Sequence, residues 1–189
     1  KFKDCDYVFI STTGNMIATF VSQMRSTGYK GAFISGANQF TGYWAQVQAA
    51  TPAADLYGCY YTWWGPVVGS DSDADWFQTM TETTKANHSN WTSRLSTTGP
   101  ITGWLTGYFV YDAISRAVES VGAKNVDGDA LKAALDATEI DFADTGNTFK
   151  FSPNNNTALY TLRMLQWNVE ASKWQVANNK WYEGLSVPE

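Results

Sequence analysis

The feature that most constrains the fold is an alternation of short apolar strands with amphipathic helices in the first third of the chain. Tyr7–Ile10 predicts a buried strand, and a helix with an N-cap at Asn15 follows it and ends at Gly28. Residues 32–35 predict the next buried strand. A strand, a helix and a second strand in this order form a βαβ unit, which implies a parallel sheet with a right-handed crossover.

The same pattern continues along the chain and then gives way to strands. Thr41 caps a predicted second helix that ends before Pro52, and residues 56–63 predict a third strand. Residues 76–86 predict a helix, residues 87–100 a polar loop and residues 104–121 a long helix, and Asp127 begins a shorter one. The apolar stripe of the long helix consists of Val110, Ala113, Ile114, Ala117, Val118 and Val121. Strands are predicted at 148–151, 159–168 and 173–181, the last two as an antiparallel hairpin, so the chain is expected to be α/β with a C-terminal hairpin.

Charge and motif content argue against several classes of function. The net charge of −5, with no run of basic residues, makes nucleic acid an unlikely partner. The single histidine, His88, stands in the polar loop away from any nucleophile motif, so no enzyme activity is expected. Asp71, Asp73, Asp75 and Glu82 match the spacing of a calcium loop, but Trp76 occupies the position that needs glycine. We expect neither a metal nor a cofactor.

The two cysteines, Cys5 and Cys59, are too few and too far apart for a zinc site or a redox pair. Buried free thiols are the favoured interpretation, and a single disulfide is the alternative. Residues 1–20 lack the pattern of a secretory signal, and no apolar run is long enough to span a bilayer. The chain is therefore expected to be a fragment, with any export signal upstream or removed.

Three loops follow the carboxyl ends of the predicted parallel strands, which is where ligands bind to sheets of this kind. The first two loops supply hydroxyl and amide groups, and the third supplies aromatic side chains. The predicted ligand-binding residues are Thr12, Thr13, Asn15, Asn38, Gln39, Tyr61, Trp63 and Trp64. This combination suits a small polar molecule with an apolar part. The alternative is that the loops only cap helices.

Several segments, in their order, resemble a known family. They are residues 6–14, 20–30, 32–36, the Tyr-Asp-Ala helix at 107–122, 129–135 and the Gly-Asn-Thr-Phe segment at 145–152. This series resembles the C-terminal half of type I periplasmic solute-binding proteins of branched-chain amino acid ABC transporters. The resemblance implies two Rossmann-like lobes with parallel sheets. Residues 1–57 would belong to the second lobe, 58–145 would cross the hinge into the first, and 146–189 would return to the second with the terminal hairpin.

The resemblance also implies a function. It predicts an extracytoplasmic receptor, periplasmic or extracellular, with a lipid anchor on a missing N-terminus. Such a receptor traps an amino acid or a related small polar or carboxylate solute in the cleft between the lobes and delivers it to a membrane permease. The alternative is a ligand-sensing domain of a receptor or regulator. A fragment of this kind, with exposed strand edges, is also expected to be able to dimerise.

One departure from the family pattern bears on the ligand. The acidic residue that holds a ligand ammonium should fall within residues 36–38, and no Asp or Glu stands there. An unpaired ammonium in a closed cleft is costly, so either Asn38 with water takes the group, an acid from elsewhere does, or the ligand differs. Amides, small carboxylates and aromatic acids are therefore all open as ligands.

Overall fold

The computed structural model describes residues 4–12, 14–65, 74–142, 147–154 and 161–183. The strands are β1 (Tyr7–Ile10), β2 (Ala32–Gly36), β3 (Cys59–Trp63), β4 (Glu139–Phe142), β5 (Asn147–Lys150), β6 (Thr161–Asn168) and β7 (Lys173–Glu183). The α-helices are α1 (Met16–Ser26), α2 (Ala37–Ala50), α3 (Asp75–Asn87), α4 (Trp91–Arg94), α5 (Thr98–Val121) and α6 (Gly128–Asp136). Short 3-10 turns occupy Ala53–Leu56 and Ala123–Asn125.

Five strands form one mixed sheet in the order β1-β2-β3-β6-β7. The first three are parallel, as the βαβ pattern predicts, while β6 runs antiparallel to β3 and β7 antiparallel to β6. The prediction of an α/β fold with parallel strands and a C-terminal antiparallel hairpin is confirmed. The hairpin extends the parallel sheet directly rather than forming a separate layer. β4, which the sequence did not predict, pairs with β5 in a two-stranded ribbon.

The core lies between the sheet and the pair of helices α1 and α2. Phe33 of β2 packs edge-on against Phe20 of α1, with ring centroids 6.2 Å apart. On the α2 side, Trp44 packs against Trp167 and Trp174 of the hairpin, at 4.8 and 4.6 Å. The two crossover helices therefore anchor both halves of the sheet, the parallel strands and the hairpin.

The helix beginnings differ from the sequence predictions. α2 begins at Ala37 rather than Thr41, and Thr41 is a buried residue inside the helix. Asn15 precedes α1 as predicted but makes no side-chain capping hydrogen bond. Asp127 does cap α6, where its side chain accepts a hydrogen bond of 2.9 Å from the backbone nitrogen of Ala130.

The polar stretch 87–100 is not simply a loop. It contains α4, and α5 begins at Thr98 instead of residue 104. Pro100 stands in the first turn of α5, where its missing N–H has no partner in any helix and its fixed φ suits helical geometry. The high Ser, Thr and Asn content concealed this helix start, because these residues are common both in loops and at helix N-termini.

The predicted apolar stripe of α5 is only partly buried. Ala113 and Ala117 pack with Ala134 of α6 in a small second cluster. Val110 and Ile114, however, are 52% and 47% exposed. The reason is that α6 covers a narrow strip of α5. This strip is wide enough to bury the small alanine side chains but not the larger valine and isoleucine beside them.

Two further sequence predictions need correction. The third strand begins at Cys59 rather than residue 56, because Leu56 ends a 3-10 turn and Gly58 adopts a φ of +65°. Both cysteines are free thiols, but only Cys59 is buried, while Cys5 is exposed. No helix in the described parts of the chain combines the length and the apolar character that crossing a membrane requires.

Candidate functional site

The carboxyl ends of β1, β2 and β3 meet at one edge of the sheet because these strands are parallel. A buried hydrogen bond fixes the first two ends relative to each other, since the hydroxyl of Ser35 donates to the carbonyl oxygen of Ile10 at 2.8 Å. The segments that follow β1 and β2 therefore start from strand ends held at a fixed separation. This edge carries the residues that the sequence predicted for ligand binding.

The loop after β1 opens onto an apolar groove. Thr12 and Asn15 line this cavity of about 620 Å³ together with Phe9, Met16 and Phe20. The hydroxyl of Thr12 lies 3.9 Å from the sulfur of Met16. Thr13 falls outside the described residues, so its predicted role stays a prediction.

The loop after β2 is absent, because α2 starts directly after Gly36. Asn38 and Gln39 consequently lie in the first turn of α2, a turn that has no acidic residue and no side-chain cap. Gln39 folds back against the strand end: a Cβ added to Gly36 would lie 2.5 Å from its amide oxygen. The side chain of Asn38 is exposed, and its Oδ1 accepts a hydrogen bond of 2.7 Å from the hydroxyl of Thr98.

Thr98 is the first residue of α5, so its contact with Asn38 places two helix N-termini next to each other. α5, like α2, has no acidic residue in its first turn. The N-terminus of a helix carries unsatisfied N–H groups and a partial positive charge. The edge beside Asn38 is therefore polarised to favour hydrogen-bond acceptors, although no side chain in these two first turns carries a charge.

The aromatic residues at the end of β3 are more enclosed than the sequence suggested. Tyr61 is fully buried and packs against Trp174 at 4.6 Å. Burial raises the pKa of its hydroxyl, and Arg163 opposes this shift only in part. Trp63 is 3% exposed, whereas Trp64 is half-buried and stacks on it at 4.5 Å. Tyr61 and Trp63 thus belong to the core, and Trp64 is the aromatic residue of this strand end with accessible surface.

Trp64 is supported from a second side by the ribbon. Its ring meets Phe149 of β5 at 5.3 Å and nearly a right angle, and Phe149 in turn lies 5.6 Å from Phe109 of α5. A continuous row of aromatic rings therefore connects the end of β3 with the ribbon and with α5.

The groups available at this edge are hydrogen-bond donors, hydrogen-bond acceptors and an aromatic ring. The described residues at the three strand ends offer hydroxyl, amide and backbone N–H groups and the Trp64 ring, with no carboxylate and no histidine. In the described part of the chain, no cluster of three or more His, Cys, Asp or Glu residues is arranged to hold a metal ion. Asp71 and Asp73 of the acidic cluster fall outside that part.

Sequence reasoning missed Thr98 and misassigned Thr41. Thr98 was interpreted as a polar residue of a loop, and Thr41 as the N-cap of the second helix. The one available signal was the sequence Thr97-Thr98-Gly99-Pro100, which is a good helix start. Nothing in the sequence alone shows that this start meets the beginning of α2.

Comparison with solved structures gives consistent similarity over nearly the whole chain. A substrate-binding protein of an ABC transporter from Aeropyrum pernix superposes with a TM-score of 0.72 at 18% identity, covering 96% of this chain and 45% of that protein. A branched-chain amino acid ABC transporter protein from Thermus thermophilus, with bound valine, superposes with a TM-score of 0.70 at 13% identity. This match covers 96% of this chain and 47% of that protein. A fatty acid ABC transporter substrate-binding protein from Thermomonospora curvata superposes with a TM-score of 0.69 at 16% identity. This match covers 95% of this chain and 43% of that protein.

The chain spans less than half the length of each of these three proteins. The comparison with curated proteins gave no match. The sequence model for periplasmic binding proteins matches residues 1–173, which is most of the chain. Together with the parallel strands, the hairpin that extends them and the polar edge at their carboxyl ends, this match shows that the chain belongs to the periplasmic binding protein family.

Proposed function

We propose that the intact protein is the extracytoplasmic substrate-binding component of an ABC transporter, which traps a small solute between two lobes and presents it to a membrane permease. The observation that carries the proposal is the polar edge at the carboxyl ends of β1–β3, whose described residues offer hydrogen-bonding groups and an aromatic ring and include no carboxylate and no histidine. Membership of the periplasmic binding protein family supports it. So does the description of the Aeropyrum pernix structure as an ABC transporter substrate-binding protein.

The proposed division into lobes follows the chain order. Residues 1–57 provide the βαβ part of the second lobe. Within residues 58–145, β3 still pairs with β2 in the sheet of that lobe, so the proposed crossing into the first lobe follows β3, and residues 146–189 return. Pairing of β6 with β3 supports the return, because it places the hairpin in the same sheet as β1 and β2. The hydrogen bond between Thr98 and Asn38 then links the proposed crossing segment to the proposed second lobe.

The proposed ligand is a small solute with a carboxylate or carboxamide group and an apolar part. The absence of a carboxylate at residues 36–38 disfavours a ligand whose ammonium needs a partner there. The half-buried Trp64 and the apolar groove beside Thr12 supply surface for the rest of the molecule. Both the valine of the Thermus protein and a fatty acid carry a carboxylate, which agrees with this choice.

Thermal-shift measurements on the intact protein, followed by calorimetric titration, test the proposal. The panel contains branched and aromatic carboxylates, their carboxamides and the corresponding amino acids. A ligand that binds only the folded state increases the free energy of unfolding, by about 2.7 kcal/mol when its free concentration is a hundred times its dissociation constant. The midpoint temperature of unfolding therefore rises. An intact protein whose midpoint no member of the panel raises would contradict the proposed ligand class.

A further inference from the structure

Three polar side chains form a chain of hydrogen bonds where α2 meets α5. The backbone N–H of Thr98 donates to the hydroxyl oxygen of Thr41 at 3.2 Å, and the two hydroxyl oxygens lie 2.8 Å apart. The hydroxyl of Thr98 also lies 2.7 Å from Oδ1 of Asn38. Thr98 is fully buried and Thr41 is 5% exposed, so water has little access to these bonds.

The direction of each hydrogen bond follows from the number of protons available. The hydroxyl of Thr98 has one proton, and Oδ1 of Asn38, a carbonyl oxygen, can only accept. Thr98 therefore donates to Asn38, and the proton between the two threonines must come from Thr41. The series runs from the Thr98 N–H to Thr41, from Thr41 back to Thr98, and from Thr98 to Asn38, with every donor used once.

This arrangement determines how the amide of Asn38 is oriented. Its oxygen is engaged with the buried hydroxyl of Thr98, so its NH₂ group points away from that hydroxyl. Within the described residues, no hydrogen bond from this NH₂ group is found, and the side chain as a whole is exposed. An asparagine amide can otherwise present either its oxygen or its nitrogen to a ligand, because the two ends have the same shape.

We propose that Thr98 is a positioning residue for ligand binding: it holds the Asn38 amide so that the NH₂ group faces the ligand, and the site thereby selects an oxygen acceptor over an ammonium. This inference rests on the proposed interlobe site. Thr98 does not touch the ligand and acts only through Asn38. A carboxylate or carboxamide oxygen can accept from the NH₂ group, whereas an ammonium has no lone pair and cannot accept from it.

The test uses three compounds with one apolar skeleton and three polar ends: 3-methylbutanoate, 3-methylbutanamide and 3-methylbutylamine. Their affinities for the intact protein are measured by calorimetry for the wild type, Thr98→Val, Thr98→Ser and Thr106→Val. Thr106 is the matched control, because it is an exposed residue of the same helix and its hydroxyl donates to the carbonyl oxygen of Thr102 one turn earlier. The wild type is expected to bind the carboxylate and the carboxamide and to reject the amine.

In Thr98→Val, the affinity for 3-methylbutanoate should fall about tenfold, the equivalent of one lost hydrogen-bond constraint. The ratio of carboxylate to amine affinity should fall with it. Thr98→Ser should restore both quantities, and Thr106→Val should leave both unchanged. A purely structural role for Thr98 predicts a loss of affinity for all ligands with an unchanged ratio, and that result overturns the inference. Amine binding to the wild type as tight as carboxylate binding overturns it too.

A measurement without ligand separates this inference from the proposed function. In the intact protein, NMR relaxation of the Asn38 side-chain NH₂ group reports how well the amide is ordered. We expect an ordered group in the wild type and in Thr98→Ser, and a mobile one in Thr98→Val. Equal mobility in all three overturns the positioning role, whatever binds. Failure of all three compounds to bind, with Asn38 still ordered by Thr98, refutes the proposed ligand class and the acceptor selection built on it.

Discussion

The Nε atom of Arg25, in α1, donates a hydrogen bond of 2.8 Å to the carbonyl oxygen of Asp55, in the turn that precedes β3. The other nitrogens of the same guanidinium reach the carbonyl oxygens of Tyr29, Gly31 and Tyr57. Arg25 is only 7% exposed. A single buried cation therefore holds together the loops that lead into β2 and β3, at the edge of the sheet opposite the candidate site.

Replacing Arg25 by methionine tests this role. The substitution keeps the apolar stem but leaves the buried carbonyl groups without donors, and each such group costs about 1 kcal/mol or more. The free energy of unfolding should fall by about 3 kcal/mol, measured by denaturant titration. Arg25→Lys should recover part of the loss, because one ammonium cannot match the planar fork of the guanidinium.

Arg116→Met is the matched control for Arg25. Arg116 lies on the surface of α5, and its side chain pairs with Asp112 in the same helix at 2.7 Å. Exposed ion pairs contribute little to stability, so the stability of this variant should stay close to that of the wild type. Equal losses in Arg25→Met and Arg116→Met would contradict the assigned role of Arg25.

The two cysteines should differ sharply in reactivity. Cys5 is exposed, whereas Cys59 is completely buried in the core beside Phe33. Burial raises the pKa of the Cys59 thiol to about 12, so the reactive thiolate is scarce at neutral pH in the folded protein. A maleimide should modify Cys5 at once and Cys59 only after unfolding. Mass spectrometry with and without denaturant reads out both sites, and rapid labelling of Cys59 in the folded protein would show the assignment to be wrong.

The same buried thiol predicts a loss of stability in alkali. The pKa of Cys59 is about 12 in the folded protein against 9.0 for the free group, so the unfolded chain gives up this proton first. Its contribution to stability is complete below about pH 9 and declines as the pH rises from there toward 12. Burial raises the pKa of Tyr61 as well, which adds to the decline at the alkaline end.

Unfolding titrations of three proteins at increasing pH isolate the cysteine effect. Cys59→Ala should lose less stability above about pH 9 than the wild type, even if its stability at neutral pH is lower. Cys5→Ala should follow the wild-type curve, because Cys5 is exposed in the folded protein. Parallel pH profiles for Cys59→Ala and the wild type would exclude the thiol as a source of the decline.

The sequence was sufficient for those parts of the fold that depend on local periodicity. Helix α1 and strand β2 follow the apolar pattern closely, and the cap of α6 at Asp127 is as predicted. Strand β1 lies where predicted, but it is an edge strand of the described sheet and is not buried as predicted, because Tyr7 and Phe9 are 64% and 62% exposed. The start of α5 was missed because Thr97 and Thr98 suit a loop and a helix equally well. Strand β4 was missed because it has only four residues, too few to show a clear alternation, although its partner β5 follows closely in the chain.

The candidate site was less predictable than the fold. Placing Asn38 at the carboxyl edge needed only the position of β2, which the sequence supplies. Its orientation depends on Thr98, sixty residues away in the sequence, and only the meeting of α2 with α5 reveals that contact. Aromatic composition likewise could not separate Tyr61, which is enclosed by Trp174, from the accessible Trp64. Local pattern identifies candidate residues, and tertiary contacts decide which of them are buried and which stay accessible.

Trp174 of β7 should be among the most sensitive core positions of the chain. It is 8% exposed, and its ring contacts those of Phe40, Trp44, Tyr61 and Trp167. It thus joins the hairpin to α2 and to β3. Trp174→Ala leaves a large cavity and should lower the free energy of unfolding by about 3–5 kcal/mol.

The matched control for Trp174 is Trp181→Ala, on the same strand. Trp181 is 38% exposed, and its ring lies 5.0 Å from the guanidinium carbon of Arg163. Loss of this partly exposed cation–π contact should cost about 1 kcal/mol. Denaturant unfolding monitored by far-ultraviolet circular dichroism measures both variants without depending on tryptophan fluorescence. Because the difference between them arises from burial of one ring in the core, similar losses would mean that Trp174 does not connect the hairpin to the rest of the sheet.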